Sequence, residues 1–309
     1  MTTEKRTKIL TESEVKEFYR PPTFTANDQR FFFALDVSEH EVCKKVRPRR
    51  ARCMLMLLLG YFKAKPVVLI PRYHQIKVDL KFISQEVTPG PGFVPFTLGQ
   101  KEKDRLYSKI FKLTGYQGWS TNTHLLPLLD YLNAQAQAWL DPRHLFDSVI
   151  EYLSKHKIAI PAYSTLQKII SRVISQEQER LNHFINKTAS NKLQQAIANL
   201  FGDDAELNLS QLRQSAKNFT KAELKKELGV HRYLRPWISE VNTVLQEAAL
   251  SQKNLQYFAD RVDYYGAKLK RHSEENQQLY LLCYLHFRWR QSLERIADGF
   301  VHHIRQVKY

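Results

Sequence analysis

The stretch CMLMLLLGYF, from Cys53 to Phe62, is the longest apolar run in the chain. It is about half as long as the roughly 20 residues that a membrane-spanning helix needs. Arginines precede it directly, and Pro48 stands where a helix would begin, because the missing N–H of proline costs nothing in the first turn. The run therefore predicts a helix enclosed by the rest of the protein, with no membrane partner.

The surrounding sequence favours an all-α fold. Of the 309 residues, 43% are hydrophobic and only 10 are glycine, and runs of Leu, Ile, Lys, Gln and Glu favour helix. Strand signals are nearly absent, since PVVLI at 66–70 is too short to oppose a helical prediction. Thr11 with Glu14, and Ser38 with Glu41, have the spacing of capping boxes that open helices.

Cysteine usage indicates a reducing compartment. Cys43, Cys53 and Cys283 form no CxxC motif, and an odd number argues against a disulfide framework. The polar start MTTEKRTKIL does not have the apolar core of a signal peptide. We therefore expect a cytoplasmic protein.

Charge indicates the class of partner. Lys and Arg number 47 against 31 acidic residues, which gives a net charge of +16. Such a field suits a polyanion, because each neutralised phosphate releases condensed counterions. Membrane-surface binding and simple solubility are the alternatives. RNA is disfavoured because the sequence has no aromatic RNA-binding strand motif.

Two basic segments are candidate phosphate-binding sites. The first, KKVRPRRAR, is too charged to form a core, and its cations are Lys44, Lys45, Arg47, Arg49, Arg50 and Arg52. We expect it to bind DNA backbone or to enter a minor groove; the alternative is a solvated loop. The second begins the helix after residue 100, with Lys101, Lys103 and Arg105 diluted by Glu102 and Asp104.

A pair of helices around KIAIP, at 157–161, predicts a helix-turn-helix. Apolar residues at helical spacing lie before and after this short turn, so the two helices bury each other's inner faces. The outer face of the second helix contains no acid before Glu177, and its polar residues are Tyr163, Ser164, Thr165, Gln167, Lys168, Ser171 and Arg172. In a major groove, Lys168 and Arg172 would contact guanine and Gln167 adenine. The alternative is an ordinary amphipathic helix capped by Ser164.

The proline- and glycine-rich stretch VTPGPGFVPF, at 87–96, is the clearest linker. It predicts an N-terminal helical DNA-binding domain at 1–88 and a second, helix-turn-helix DNA-binding domain at 97–180. Residues 181–309 are expected to form a helical linker or scaffold that supports self-association.

Three stretches resemble a known family. They are LTESEVKEFYRPPTFTANDQRFFFALD from Leu10, RARCMLMLLLGYFKAKPVVLIP from Arg50, and LFDSVIEYLSKHKIAIPAYSTLQKII from Leu145. Their order and spacing are similar to the N-terminal region of the replicative transposases (TnpA) of class II transposons. The resemblance implies tandem helix-turn-helix units that bind double-stranded DNA at the terminal inverted repeats, and a location in the bacterial cytoplasm at the nucleoid.

The resemblance also implies that this chain is not an enzyme, because the family's Asp/Asp/Glu nuclease domain would lie beyond it. The acidic residues of the C-terminal half agree, since Asp203–Asp204, Glu206 and Glu274–Glu275 have no strand context in which to hold two metal ions. We therefore expect no metal and no cofactor. The competing hypothesis is a helical regulatory protein that modulates a full-length transposase and contacts DNA only weakly.

Overall fold

The fold is all-α, as the sequence predicts. The computed structural model describes residues 7–202 and 207–307. Over these residues it is 73% helical, and only isolated β-bridges accompany the helices. The chain divides into two compact units, the first of Met1–Leu132 and Pro142–Ser171, the second of Asn133–Asp141 and Arg172–Tyr309. The domain boundaries expected from the sequence stay predictions.

The first unit contains short capped helices around one long helix. Its helices are α1 (Glu12–Phe18), α2 (Ala26–Phe32), α3 (Val37–Lys44), α4 (Arg49–Ala64), α5 (Tyr73–Phe82) with a π-helical turn (Ile83–Val87), α6 (Gln100–Thr114) and α8 (Pro142–Lys155). Helices α7 (Thr121–Ala138) and α9 (Tyr163–Thr188) run from the first unit into the second. The Thr11–Glu14 capping box is confirmed. The box at Ser38–Glu41 is wrong: Asp36 and Glu39 cap α3 two residues earlier.

Helix α4 is the core of the first unit. Every residue of the run from Cys53 to Phe62 is buried, which confirms the enclosed helix that its all-round apolarity predicts. Gly60 permits a close approach of Phe33, because a Cβ built there would lie 2.4 Å from Cδ1 of that ring. A side chain at position 60 would therefore push the end of α2 away from α4.

One buried carboxylate joins α2, α4 and α5. Asp79 on α5 accepts a hydrogen bond of 2.5 Å from the Tyr61 hydroxyl and one of 2.6 Å from Nε2 of Gln29. Burial, together with the bond to Asp79, raises the pKa of Tyr61. The network satisfies a carboxylate that would otherwise be costly to bury.

Short extended segments hold the turn between α8 and α9. Ile160 forms a parallel bridge with Val67, and Ile158 forms one with Gln117. The stretch at 66–70 is thus extended and not helical, and the Tyr107 hydroxyl on α6 both accepts from Leu69 N–H and donates to Leu69 C=O. The turn that the sequence places before the second helix of the pair is therefore buried and fixed from two sides.

The end of α8 has a Schellman motif formed without glycine. Ile158 N–H donates to Leu153 C=O at 2.8 Å, and Lys157 N–H donates to Ser154 C=O at 3.1 Å. Lys157 occupies the left-handed position, with φ at 51°. Because a residue with a Cβ adopts this conformation only at a cost in free energy, the backbone at Lys157 is strained.

The second unit packs its helices against α15. Its other helices are α10 (Asn191–Asn199), α11 (Leu209–Leu212), α12 (Lys221–Leu234), α13 (Ile238–Glu247), α14 (Gln252–Tyr265), a 3-10 turn (Gly266–Arg271) and α15 itself (Glu274–Val307). A buried ion pair joins α12 to α15: the side chains of Arg288 and Glu227 are each 1% exposed and 2.9 Å apart. Arg288 also donates to the carbonyls of Leu212 and Gln214. These bonds satisfy a charge that would otherwise be buried unpaired.

Replacing Lys157 by glycine should stabilise the protein. The substitution removes the left-handed strain, and the gain exceeds the extra entropy of glycine in the unfolded chain, so we expect about 1 kcal/mol. The urea midpoint, followed by far-ultraviolet circular dichroism, measures the effect.

Lys155→Gly is the matched control, because Lys155 lies in the last turn of α8. There a glycine should lower the midpoint, by up to about 1 kcal/mol in free energy. Equal shifts in the two variants would show that the Lys157 backbone is not strained.

Candidate nucleic-acid interface

The first basic segment lies where α3 ends and α4 begins, and three of its cations face solvent. Lys44, Lys45 and Arg47 are exposed, and none of their three side chains forms a hydrogen bond or an ion pair with a residue that the structure describes. Among the described residues, therefore, no ion pair with an acid offsets their mutual repulsion. Exposed, clustered cations of this kind suit a phosphate backbone.

Arg49 is not available for such contacts, because the protein itself occupies its guanidinium. Its Nη1 donates to Pro91 C=O at 2.7 Å, its Nε donates to Thr88 C=O at 3.1 Å, and its Nη2 donates to Ser84 Oγ at 2.5 Å. The guanidinium also lies 4.9 Å from the centre of the Phe93 ring. The segment at 87–96, which the sequence predicts to be a linker, is thus attached to the start of α4.

Two other arginines of the segment, Arg50 and Arg52, make contacts within the protein. Arg52 is half-buried, and its Nε donates to Val46 C=O at 3.2 Å. Arg50 lies 5.2 Å from the Phe96 ring and 3.5 Å from Glu102, with 49% of its side chain exposed. Arg50 is therefore still accessible, whereas Arg49 and Arg52 position the backbone around it.

The Arg50–Glu102 contact brings the two predicted basic segments together. Lys101 and Arg105 on α6 are exposed, while Lys103 is half-buried and donates to Gln100 at 2.9 Å. Glu102, one of the two acids within the second basic segment, thus joins α6 to α4. The two segments form one surface, which we call the basic junction; its exposed cations are Lys44, Lys45, Arg47, Arg50, Lys101 and Arg105.

The first turn of α4 lies within the basic junction. No side chain caps this helix end, and no acidic residue occurs in its first turn. Free backbone N–H groups and the positive end of the helix dipole favour an anion there. The helix end therefore adds to the field of the side chains.

The predicted recognition face of α9 is divided in two, which corrects the expectation of one exposed face. Tyr163, Gln167 and Ser171 contact the chain's own residues 7–10, and Ser171 is only 6% exposed. Their spacing of four residues aligns them along one side of the helix. In this structure Ser171 is buried, and Tyr163 and Gln167 are half-buried with their polar groups bound to protein backbone.

The remaining members of the predicted face stay accessible. Ser164 and Lys168 are exposed, and Thr165 is half-buried. Arg172 is exposed too, and it belongs to the second unit. Within the first unit, Lys168 is thus the exposed cation of the predicted recognition helix.

The start of α9 and the basic junction lie near opposite ends of α4. Lys65, directly after α4, donates to Phe18 C=O, and the neighbouring Tyr19 hydroxyl donates to Pro161 C=O at 2.6 Å, two residues before α9. Helix α4 has 16 residues. At a rise of about 1.5 Å per residue it is about 24 Å long, so two separate surfaces of the first unit remain candidates for contact.

The described residues contain no candidate metal centre. Among residues 7–202 and 207–307, no group of three His, Cys, Asp or Glu side chains could hold a metal ion. All three cysteines are free and buried, and burial raises the pKa of Cys43 to about 11. The acidic cluster of Asp203–Asp204 and Glu206 lies outside the described residues. The expectation that the chain is not an enzyme stays a prediction.

None of the described helices combines the length and the apolarity that crossing a bilayer requires.

The fold and the surface together define an all-α protein with a basic surface at the start of helix α4.

The chain belongs to the family described as Domain of unknown function (DUF4158), whose model matches residues 9–173. The match covers most of the first unit, which ends at Ser171, and it also includes Asn133–Asp141 of the second unit. No curated protein matches the chain.

Replacing Arg49 by lysine should loosen the segment at 87–96. Lysine keeps the charge but lacks the planar fork that reaches Thr88, Pro91 and Ser84 together. We expect faster thermolysin cleavage within this segment, and a free energy of unfolding lower by about 1–3 kcal/mol. Arg47→Lys is the control, because Arg47 is exposed; equal cleavage rates in the two variants would contradict the role given to Arg49.

Proposed function

We propose that this protein binds double-stranded DNA as the non-catalytic, N-terminal part of a replicative transposase, with the transposon's terminal inverted repeats as its target. The observation that carries the proposal is the basic junction, where exposed cations surround an uncapped helix end. The resemblance of three long stretches to transposases supplies the particular target. Location at the nucleoid is part of the same proposal.

Electrostatics support DNA over a small acidic ligand. At the basic junction the first unit offers six exposed cations spread over two helix ends and the turn between α3 and α4. Its exposed cations repel one another in the free protein, and a row of phosphates removes that repulsion while releasing counterions. A surface of this kind provides affinity for any duplex, and base contacts must provide sequence preference.

The second surface, at the start of α9, is proposed to supply those base contacts. Lys168 is exposed there, and lysine can donate to O6 and N7 of guanine in a major groove. The length of α4, about 24 Å, corresponds to about seven base pairs at roughly 3.4 Å each. The separation along α4 is therefore no longer than one turn of a duplex.

Removing three cations of the basic junction should weaken DNA binding and its dependence on salt. For Lys44, Lys45 and Arg47 all changed to Gln, we expect the slope of log K against log salt to become shallower by about 2.7, since each phosphate contact contributes about 0.9. Fluorescence anisotropy with a labelled duplex across a salt series measures it.

The control variant removes the same charge from the second unit, at the exposed residues Lys187, Lys192 and Lys225. It should keep nearly the wild-type slope. If both triple variants lose the same amount, net charge explains binding and the basic junction has no special role.

Lys168→Ala should reduce sequence preference. Loss of one base contact is expected to weaken binding to the terminal repeat by about 1–3 kcal/mol, and binding to a scrambled duplex by much less. Competition between the two duplexes measures the ratio, with the exposed Lys112 changed to Ala as the control. Equal losses on both duplexes would reduce Lys168 to a phosphate contact.

A second candidate, a regulatory protein that contacts a transposase, is favoured by one observation in the second unit. The last part of α15 exposes apolar side chains at helical spacing, namely Leu293, Phe300, Val301 and Ile304. Such a stripe is typical of a surface that packs against another helix. Self-association through this region belongs to the same candidate. Binding to the terminal-repeat duplex and to a scrambled duplex across a salt series distinguishes it, because a regulator of this type requires no sequence preference for DNA.

A further inference from the structure

Residues 7–10 lie along the first turns of α9 and are bound by its side chains. The Thr7 backbone uses both of its polar groups: its N–H donates to Ser171 Oγ at 3.1 Å, and its C=O accepts from Gln167 Nε2 at 2.9 Å. Leu10 N–H donates to the Tyr163 hydroxyl at 3.1 Å. Side chains from three successive turns of one helix thus bind the backbone of this segment.

The contacts fix the register of the segment. Leu10 is buried, with 4% of its surface exposed, and it directly precedes Thr11, the N-cap of α1. A slip by one residue would expose Leu10 and would exchange the backbone groups that Gln167 and Ser171 satisfy. The segment therefore has one preferred position on the helix.

Lys8 is the exposed side chain that this arrangement presents. It lies between the bound backbone of Thr7 and the buried Leu10, and it forms no ion pair with any residue that the structure describes. Ser164 and Lys168 are exposed on the same helix that binds the segment. A basic extended segment beside a recognition helix is an arrangement by which proteins add DNA contacts.

We propose that residues 7–10 form an arm that belongs to the DNA-binding surface, with Lys8 as its phosphate contact. Gln167 and Ser171 are then positioning residues that hold the arm, and they do not read bases. This inference rests on the proposed function, because it assigns the arm to the same duplex that the start of α9 contacts. It replaces the adenine contact expected of Gln167 from the sequence.

The test uses the full chain, a labelled terminal-repeat duplex and a scrambled duplex. Lys8→Gln should weaken binding several-fold on both duplexes and make the salt slope shallower by about 0.9. The double variant Gln167→Ala with Ser171→Ala should cause a similar loss. Combining it with Lys8→Gln should add almost nothing, because a released arm no longer presents the lysine.

Two further variants keep the test decisive. Lys16→Gln, at an exposed position of α1, removes the same charge and should leave the slope unchanged. Tyr163→Phe removes only the hydrogen bond to Leu10, so it reports on release of the arm if the double variant fails to fold. The loss of DNA affinity caused by Tyr163→Phe should also disappear when Lys8 is already changed to Gln.

Each other outcome has a definite meaning. Tighter binding by the double variant would overturn the inference, since the arm would then cover the helix and compete with DNA. Unchanged binding by Lys8→Gln, with wild-type protein still bound to DNA, would overturn the arm's role and leave the proposed function standing. A wild-type chain that binds neither duplex at low salt would overturn both.

Discussion

The enclosure of α4 is the constraint on which the first unit depends. A helix that is apolar on every side exposes its surface to water at a cost of about 25 cal/mol per Å², so other elements must cover it completely. Here α2, α3, α5 and α6 do so, and Gly60 allows the close approach of Phe33 at the end of α2. The helix also separates the two candidate surfaces, because the basic junction lies at its start and the first turn of α9 lies near its end.

Burying this helix also determines which cations remain for a partner. Arg49 and Arg52 start the buried helix, so their donors are used by carbonyls of 88–91 and of Val46. The cations before Pro48 lie outside the helix and stay exposed. A run of basic residues that is uniform in sequence is thus divided by structure into a positioning part and an accessible part. Arginine suits the first role because one fork can satisfy several acceptors.

Much of this was accessible to sequence reasoning. The all-α class, the enclosed helix and the Thr11 cap each follow from local signals: hydrophobic period, length and side-chain spacing. The helix pair around 157–161 was placed within a few residues for the same reason. The cap of α3 was displaced by two residues, because Asp36 and Ser38 are both good caps and only the packed structure selects between them.

The sequence by itself determined the net charge, the helical class and the acid-free start of α9, because these are properties of composition and of neighbours within one helical turn. Only the tertiary structure decided that residues 7–10 cover Tyr163, Gln167 and Ser171. It alone decided as well that the extended stretch at 66–70 supports the turn before α9. Both contacts join segments about 90 or more residues apart, and no local pattern encodes which distant backbone will satisfy a given side chain.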